Sequence, residues 1–344
     1  MNLESTPAME APPGETSNLV GPYTVDPIRI AVSAIGIGIA VISVSIRIYM
    51  RVVLKRFNHE DWVLLFAIAA FGVFVAMEII ASVYGEGQHL WNVSLASLEK
   101  ALYYGNIAEI FISVTMFPIK YVLLYQIKSI FFQHDRRGLF GRIIIILIWV
   151  NLLLYSSVAL ALIFSCNPRE KLWHPDIEGY CIDNVACMST SNALNIASDL
   201  SILIIPMLGI AQLQMPLKKK LLAGSVFAVG IFATAAGIVR LYYGVQLQDS
   251  EDYTWDVMPV GNWTAVEFAM GFIVAGAPYL PRFIENVFGR RKSVPTNPPY
   301  NISSYRMERL RSSDIPDVNS GKRHLESKNK VIAPWEDSTP GAVL

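Results

Sequence analysis

The sequence is poor in cysteine and in charge. Only 3 of its 344 residues are Cys, too few for a small secreted module held together by disulfides. Charged residues make up 16%, whereas a soluble domain usually carries about 25%. Basic and acidic residues are equal at 28 each, so the net charge gives no indication of a nucleic-acid partner, and none is predicted. A hydrophobic content of 53% then indicates a polytopic membrane protein rather than a soluble enzyme or a disordered chain.

Sequence motifs of catalytic sites are also missing. The chain contains no HExxH, GxSxG or CxxC motif, and its 5 histidines are scattered along its length. We therefore expect no enzymatic activity. An internal repeat is not evident, which disfavours the inverted halves of many transporters.

Seven stretches are long and apolar enough to cross about 30 Å of hydrocarbon as helices. Transmembrane strands would instead alternate in polarity over segments of about ten residues. The expected fold is all-α, a seven-transmembrane helix bundle at 27–288 between a short tail at 1–26 and a disordered tail at 289–344. The predicted spans are 27–49, 61–84, 101–127, 142–165, 185–211, 221–246 and 258–284.

Basic residues predict the orientation of the bundle. The first, third and fifth connections carry clusters such as Lys218 to Lys220, whereas residues 1–26 contain no Lys or Arg. Because basic loops remain on the cytoplasmic side, we expect the N-terminus outside and the C-terminus inside. A multi-pass protein of the plasma membrane is expected, with an internal membrane as the alternative.

Two features are predicted on the outer side, a disulfide and a glycan. Cys166 and Cys181 face an oxidising compartment, where disulfides persist. A bridge between them is the favoured interpretation; three free thiols, or a bridge from Cys166 to Cys187, are the alternatives. Asn92 begins the triplet Asn-Val-Ser after the second span and is the expected glycosylation site.

Ionisable side chains within the predicted spans are costly to bury in lipid and are therefore candidates for function. We expect Asp199 near the midplane of the bilayer, with Asn195 one turn earlier on the same helix face. Lys120 is predicted deeper, toward the cytoplasm. At 1.5 Å per residue, four others are predicted at one depth in the outer half: Glu78, Glu109, Arg240 and Glu267.

These intramembrane polar residues allow two main interpretations. In the first, they pair within the bundle, for instance Arg240 with Glu267, and only fix the helix packing. In the second, they border an outward-opening polar cavity that binds an unknown small ligand. A proton or ion path is a third reading, since acidic residues on several helices also form relays.

Another group of charges lies at the predicted cytoplasmic rim. Arg47, Arg51 and Lys55 recur at a spacing of four residues and so share one face of the first helix. Their default role is to reach lipid phosphates. Alternatively, Arg47 or Arg51 pairs with Asp61 and fixes the first turn of the chain, with Asn58 capping the second helix.

Several short motifs follow one another in a characteristic order across six of the predicted helices. They are Arg47-Ile-Tyr-Met-Arg51, Glu60-Asp61-Trp62, Gly85-Glu-Gly87-Gln-His89, the run Cys166-Asn-Pro168, Trp173, Gly179, Cys181, Asn195, Asp199, Pro206 and Leu213-Gln214-Met-Pro216, then Lys218 to Lys220, Arg240, Trp263, Glu267 and Pro278. Their order resembles the fungal rhodopsin-domain family of integral membrane proteins. This GPCR-like group includes Pth-type receptors and membrane proteins of secondary-metabolite gene clusters. The resemblance covers roughly residues 24–288.

The resemblance implies a receptor or sensor of an extracellular or membrane-borne signal. A transporter or accessory membrane protein of a secondary-metabolite pathway is the alternative. The expected partners are membrane lipids and a heterotrimeric G protein or another cytoplasmic signalling protein. Retinal is not expected, because its Schiff base requires a lysine and residues 258–284 contain none; Lys120, on the third helix, is the only intramembrane lysine.

Epitope tags at the two ends of the chain test the predicted orientation. We expect an N-terminal tag to bind antibody on intact cells, and a C-terminal tag to bind only after permeabilisation. Both tags in the same compartment would contradict the odd number of spans.

Overall fold

Seven long helices run through the part of the chain that the computed structural model describes, residues 3–19, 23–131, 138–174, 177–211 and 217–288. All of these belong to one structural unit, Met1–Gly289. The predicted tail at 289–344 and parts of the third and fifth connections lie outside the described residues. The long helices are α1 Pro27–Val53, α2 His59–Val83, α3 Leu95–Phe131, α4 Leu139–Ile163, α5 Asn184–Ala211, α6 Leu217–Gln246 and α8 Met258–Gly276, and the short ones are α7 Tyr253–Asp256 and α9 Leu280–Phe288.

Polar residues at the helix starts explain where the first two helices begin. The Asp26 carboxylate accepts a hydrogen bond from the Ile28 N–H at 2.6 Å, and Pro27 occupies the first turn of α1. Proline is favoured there because its missing N–H has no partner inside the helix. At the start of α2, the Asn58 N–H donates to Asp61 Oδ2 at 2.9 Å. Both carboxylates also lie where the helix dipole favours negative charge.

The third helix begins earlier than the predicted span at 101–127. The Ser94 hydroxyl accepts a hydrogen bond from the Ser97 N–H at 3.3 Å, so the helix is capped just before Leu95. The apolar pattern predicted a later start for this span because charged residues, among them Lys100, occupy the first two turns of α3. These turns extend α3 toward the loops at the disulfide-bearing end of the bundle.

Apolar side chains on the outside of the helices fit a lipid environment. On α4, Trp149, Leu153 and Leu160 are each more than half exposed, at 59%, 68% and 55%. Within the described residues, six of the long helices are apolar and long enough to cross a membrane, and α5 is the exception. Its buried face is polar, with Asn192 and Asn195 at 4% and 1% exposure. The fold is therefore an all-α polytopic membrane bundle, as predicted.

An aromatic plug, formed by Phe71, Phe74, Phe268 and Phe272, fills the core between α2 and α8. All four rings are at most 1% exposed. Phe268 meets Phe71 and Phe74 edge to face at 5.3 and 5.4 Å between ring centroids, and Phe272 stacks on Phe71 at 5.9 Å. Such pairs add about 0.5–1.5 kcal/mol each beyond the burial of their surface. The plug closes the middle of the bundle between these two helices.

The seventh predicted span, 258–284, is divided in the structure. α8 ends at Gly276, a 3-10 turn occupies Ala277–Tyr279, and α9 begins at Leu280. Proline removes a backbone donor and clashes with the preceding helical turn, so Pro278 and Pro281 account for the break.

A two-stranded hairpin carries the predicted disulfide. β1 (Cys166–Asn167) pairs antiparallel with β2 (Tyr180–Cys181), and Cys166 is bonded to Cys181. Cys187 is a free cysteine at the start of α5. The favoured bridge is confirmed, and both alternatives, three free thiols and a bridge from Cys166 to Cys187, are wrong. The hairpin holds the α4–α5 connection beside the ends of those helices.

The predicted glycosylation residue lies against the N-terminal segment. Asn92 is half-buried, and its Oδ1 accepts a hydrogen bond from the Asn18 N–H at 3.0 Å. The Ala8 N–H donates to the Val93 carbonyl at 2.9 Å, so residues 3–19 run along this connection. Glycosylation of Asn92 stays a prediction.

Replacing Cys181 by Ser should open the hairpin loop. A disulfide that closes a loop of about 15 residues stabilises by about 3 kcal/mol, because it restricts the unfolded chain. We expect the Cys181→Ser protein to have a lower Tm in detergent and to migrate on a non-reducing gel like the reduced wild type. Cys187→Ser is the control and should change neither property. A wild type whose migration is unaffected by reductant would contradict the bridge.

Candidate functional site

Buried charges form three separate clusters along the bundle. The cavity cluster, at the end that carries the disulfide, consists of Arg29, Glu78, Glu86 and Glu109. The central cluster consists of Lys120, Tyr155, Asn195, Asp199, Arg240 and Glu267. The Arg47 cluster, at the opposite end, consists of Arg47, Arg51, Glu60, Asp61, Gln126 and Tyr279.

In the cavity cluster, one guanidinium contacts two carboxylates. Arg29, on the first turn of α1, is 1% exposed. Its Nη1 contacts Glu78 Oε2 on α2 and lies 2.9 Å from Glu86 Oε1 in the following connection. Buried ions at this depth need such partners because lipid supplies none.

The connection after α2 is shaped by two glycines that turn Glu86 inward. Gly85 and Gly87 have φ values of +111° and +91°, which side chains other than glycine rarely adopt. A Cβ on Gly85 would also lie 2.8 Å from a methyl of Val93. The Gly-x-Gly segment therefore places Glu86 against Arg29, a role that its sequence alone did not reveal.

The same connection is clamped to the segment before α8 by a histidine between two indoles. His89 Nδ1 lies 2.6 Å from Asp252 Oδ2, and its ring stacks on Trp91 and Trp255 at 4.3 and 4.2 Å. Thr254 Oγ1 donates to the Gln88 carbonyl at 2.7 Å. These contacts hold the connection over the end of the bundle.

A cavity of about 200 Å³ lies inside this end of the bundle. Its walls come from α2, α3, α5, α7, α8 and the loops between them. The lining residues are Glu78, Glu86, Ala101, Leu102, Gly105, Asn106, Glu109, Ile112, Leu172, Asn184, Val185, Met188, Tyr253, Thr254, Val257, Val260 and Gly261.

Polar atoms of the cavity wall are left without partners. Asn106 is 5% exposed, and within the described part of the chain neither its Oδ1 nor its Nδ2 has a hydrogen bond. The Oδ1 of Asn184 is likewise buried and unbonded there. Glu109 has no ion pair or hydrogen bond to any described residue, unlike Glu78. A buried polar group without a partner costs about 1–3 kcal/mol, so these amide atoms are the part of the wall with unused hydrogen-bonding capacity among the described residues.

In the central cluster, the Lys120 ammonium joins α3 to α5. Its Nζ lies 3.0 Å from Asp199 Oδ1 and donates to the Asn195 carbonyl at 3.0 Å. The ammonium also stands 5.5 Å from the ring centroid of Tyr155, a cation–π distance. Lys120 is 2% exposed, and the Asp199 carboxylate supplies its countercharge inside the bundle.

Asn195 connects the rest of the central cluster. Its Oδ1 accepts from the Tyr155 hydroxyl at 2.5 Å, and its Nδ2 donates to Glu267 Oε1 at 2.6 Å. Arg240 Nη2 lies 3.3 Å from Glu267 Oε2, which is the pairing named in the first interpretation of the sequence. Five helices, α3, α4, α5, α6 and α8, meet through these contacts.

The prediction of four charges at one depth is wrong. Glu78 packs against Gly261, and Glu267 lies six residues further along α8, about 9 Å deeper. Glu78 and Glu109 therefore line the cavity, whereas Arg240 and Glu267 belong to the central cluster. The depth of each charge was predicted by counting residues from the end of its helix. This count failed because the helix ends do not lie in one plane parallel to the membrane.

The Arg47 cluster joins four helices at the opposite end of the bundle. Arg47 is fully buried; its Nε lies 3.0 Å from Asp61 Oδ1 and its Nη2 lies 3.1 Å from Glu60 Oε2. Its Nη1 donates to Gln126 Oε1 on α3 at 2.5 Å and to the Ala275 carbonyl on α8 at 3.0 Å. Every guanidinium nitrogen of Arg47 is thus bonded.

A second arginine completes this end. Arg51 Nη2 lies 3.3 Å from Glu60 Oε2, and both guanidiniums stand over the Tyr279 ring at 5.1 and 5.3 Å. The expected pairing with Asp61 is present for Arg47 and Arg51. The default reading, in which Arg47 reaches lipid phosphates, is wrong because its side chain turns into the bundle.

Sequence reasoning missed several partners of these clusters. Arg29 is the third residue of α1 and therefore looked like a residue of the membrane boundary. Asn106 precedes Glu109 by three residues, and Tyr155 and Gln126 are polar residues within apolar helices. Spacing along α3 was a usable signal for Asn106, since residues three apart share a helix face.

The helices expose apolar side chains on the outside of the bundle and bury ion pairs between them at three levels. These features define a polytopic membrane protein with a polar interior. Within that class, the model of the fungal rhodopsin domain matches residues 46–286. The chain belongs to this family.

Three relatives of the chain are fungal proteins. A SAT4 family membrane protein of Emericella nidulans is 30% identical over 266 residues, which cover 75% of this chain and 67% of that protein. Fugralins biosynthesis cluster protein 2 of Gibberella zeae is 26% identical over 306 residues, covering 85% and 76%. Satratoxin biosynthesis SC1 cluster protein 4 of Stachybotrys chartarum is 25% identical over 170 residues, covering 45% and 60%. No solved structure matches the chain.

Removing one partner of the Arg240–Glu267 pair should destabilise the bundle. Arg240→Met leaves the Glu267 carboxylate buried without its countercharge, and such losses cost about 3–5 kcal/mol. We expect a clearly lower Tm in detergent for Arg240→Met. The double variant Arg240→Met/Glu267→Gln removes both charges and keeps an acceptor for Asn195, so most of the loss should be recovered.

Arg282→Met, at an exposed position of α9, is the matched control and should leave the Tm unchanged. An Arg240→Met protein as stable as the wild type would contradict the pairing argument.

Proposed function

We propose that the protein is a receptor-like sensor that binds a small ligand in the cavity and passes the signal to the Arg47 end. In this proposal the cavity faces the outside of the cell, and the protein lies in the plasma membrane. The unpartnered Asn106 amide in the cavity wall is the observation that carries the proposal. A ligand that bonds to this amide would supply the contacts that the protein lacks.

The position of the cavity supports transmission into the bundle. A second, smaller cavity of about 20 Å³ lies beside the central cluster, and Ile112 lines both cavities. Met188 lines the first cavity and Asn192, one turn further along α5, lines the second. A ligand that moves Ile112 or α5 would therefore act directly on the central cluster.

A transporter or an accessory protein of a secondary-metabolite pathway is the second candidate. The names of two relatives refer to biosynthesis clusters, which supports this candidate. Against transport, the aromatic plug closes the core between α2 and α8, with Phe71 and Phe268 packed at 5.3 Å. Sensing needs no path through the bundle, whereas transport does.

Retinal does not fit the residues present. α8 contains no lysine. Lys120 is bound to Asp199 and to the Asn195 carbonyl, and the cavity beside its cluster has only about 20 Å³, the scale of a single water molecule. We propose that the sensor works without retinal and without enzymatic activity. The proposed cytoplasmic partners are a heterotrimeric G protein or another signalling protein, together with anionic lipids.

Asn106→Leu separates ligand binding from folding. Leucine removes the unbonded amide, so the variant should be as stable as the wild type or more stable, while ligand contacts are lost. We expect normal surface labelling and an unchanged or higher Tm. The cyclic-AMP or transcript response of cells to a panel of extracellular nutrients and metabolites should disappear.

Thr115→Val is the matched control, because Thr115 is a buried, unbonded hydroxyl on the same helix outside the cavity. It should retain the response. A full response of the Asn106→Leu protein would show that the cavity is not the ligand site. Changed export of metabolites, with no signalling difference between gene-deleted and wild-type cells, would favour the transporter.

A further inference from the structure

We propose that the cavity selects a small amphipathic monocation, an amine with an apolar body about the size of a benzene ring. This inference rests on the proposed ligand site and names the chemistry of its ligand. Three features of the wall support it: a carboxylate without a countercharge, amide oxygens without hydrogen bonds, and apolar sides.

The carboxylates around the cavity outnumber the cations. Glu78, Glu86 and Glu109 all line it, and Arg29 is the one guanidinium that contacts any of them within the described residues. Since Arg29 is shared between Glu78 and Glu86, Glu109 keeps no partner. An ammonium group would supply the countercharge that Glu109 lacks, and opposite charges attract each other more strongly in a site of low dielectric than in water.

The polar atoms of the wall match an ammonium group. An ammonium carries three N–H donors and no acceptor. The Glu109 carboxylate and the unbonded Oδ1 atoms of Asn106 and Asn184 offer three acceptors on the same cavity. Asn106 lies three residues before Glu109 on α3, so both side chains point to one face of that helix. An anion would instead meet a wall of carboxylates.

The remaining walls and the volume define the body of the ligand. Leu102, Ile112, Val185 and Met188 supply apolar surface around the polar atoms. The volume of about 200 Å³ is somewhat larger than the roughly 150 Å³ cavity known to hold benzene. A single aromatic ring with a short amine chain fits this space, whereas a drug-sized ligand needs roughly 300 Å³ or more.

A wall with several carboxylates could also bind a metal ion. The arrangement of the possible ligand side chains does not favour this alternative. Within the described residues, no three His, Cys, Asp or Glu side chains come together in a way that would hold a metal. Calcium and similar ions need six to eight oxygen ligands that converge on one point. Carboxylates spread around an apolar chamber suit an organic cation instead.

A series of three probes of nearly equal size tests the charge of the ligand. The purified full-length protein, in detergent at neutral pH, is titrated calorimetrically with 2-phenylethylamine, 2-phenylethanol and phenylacetate. These are a cation, a neutral molecule and an anion. We expect the amine to bind at least about tenfold more tightly than the alcohol, and phenylacetate to bind most weakly. Equal affinities for amine and alcohol, or no binding of the amine, would overturn the assignment.

Two Glu→Gln variants then test which carboxylate binds the ammonium group of the probe. Glu109→Gln keeps the shape of the side chain and removes its charge, so the affinity for the amine should fall to about that for the alcohol. Glu251→Gln, at an exposed position on the same end of the protein, should bind all three probes as the wild type does. A Glu109→Gln protein with the same Tm and an undiminished preference for the amine would also overturn the proposal.

The two proposals fail in distinguishable ways. If the alcohol binds as well as the amine and Asn106→Leu abolishes both, the cavity remains a ligand site and only the cationic class is wrong. If Asn106→Leu leaves probe binding and the cellular response intact, the cavity itself is not the site.

Discussion

Every charge buried in this bundle needs a countercharge from the chain itself, because hydrocarbon offers none, and this constraint orders the structure. Arg47 is the most completely compensated of these charges. Each of its guanidinium nitrogens is bonded, and its partners come from α2, α3 and α8. The Asn195 side chain does the same for the central cluster, between Tyr155 and Glu267. These contacts join helices that are far apart in the sequence. Because buried ion pairs often add little net stability, their contribution here is to specify one arrangement of helices whose outer surfaces are uniformly apolar.

The cavity cluster departs from this rule. Arg29 is shared by two carboxylates, and neither Glu109 nor the Asn106 amide has a partner in the described residues. The difference is one of charge: Lys120, Arg240 and Arg47 each face a carboxylate in the other two clusters, whereas Glu109 has no countercharge among the described residues. Unsatisfied groups of this kind are tolerated at functional sites, where a ligand completes them. The contrast between the three clusters, rather than the cavity volume alone, is what supports ligand binding at this end.

The sequence predicts features that depend on residues close together along the chain better than contacts between helices that are far apart in the chain. Apolar runs and helix caps depend on near neighbours, so seven helices, the Asp61 pairings and the disulfide could be predicted. Partners across the bundle could not, because which faces meet depends on how helices of different length are offset. Arg29 and Glu86 illustrate the difficulty: one sits at a predicted span boundary, and the other is turned inward by the backbone conformation of Gly85 and Gly87. The family resemblance identified the Gly-x-Gly segment without giving its physical role.

The first helix links the two ends of the bundle. Arg29 and Arg47 are 18 residues apart on α1, which is five helical turns, so both project from one face at a separation of about 27 Å. One holds Glu78 and Glu86 at the cavity, and the other holds Glu60, Asp61 and the Ala275 carbonyl. Under the two proposals, a cation bound at Glu109 occupies the cavity that Glu78 and Glu86 also line, beside the two carboxylates that Arg29 holds. If such a cation shifted Glu78 or Glu86, Arg29 would move with them, and a rigid α1 would carry that displacement toward Arg47. Under the proposed function, the same residues that fix the packing of α1 would also connect the cavity to the Arg47 cluster.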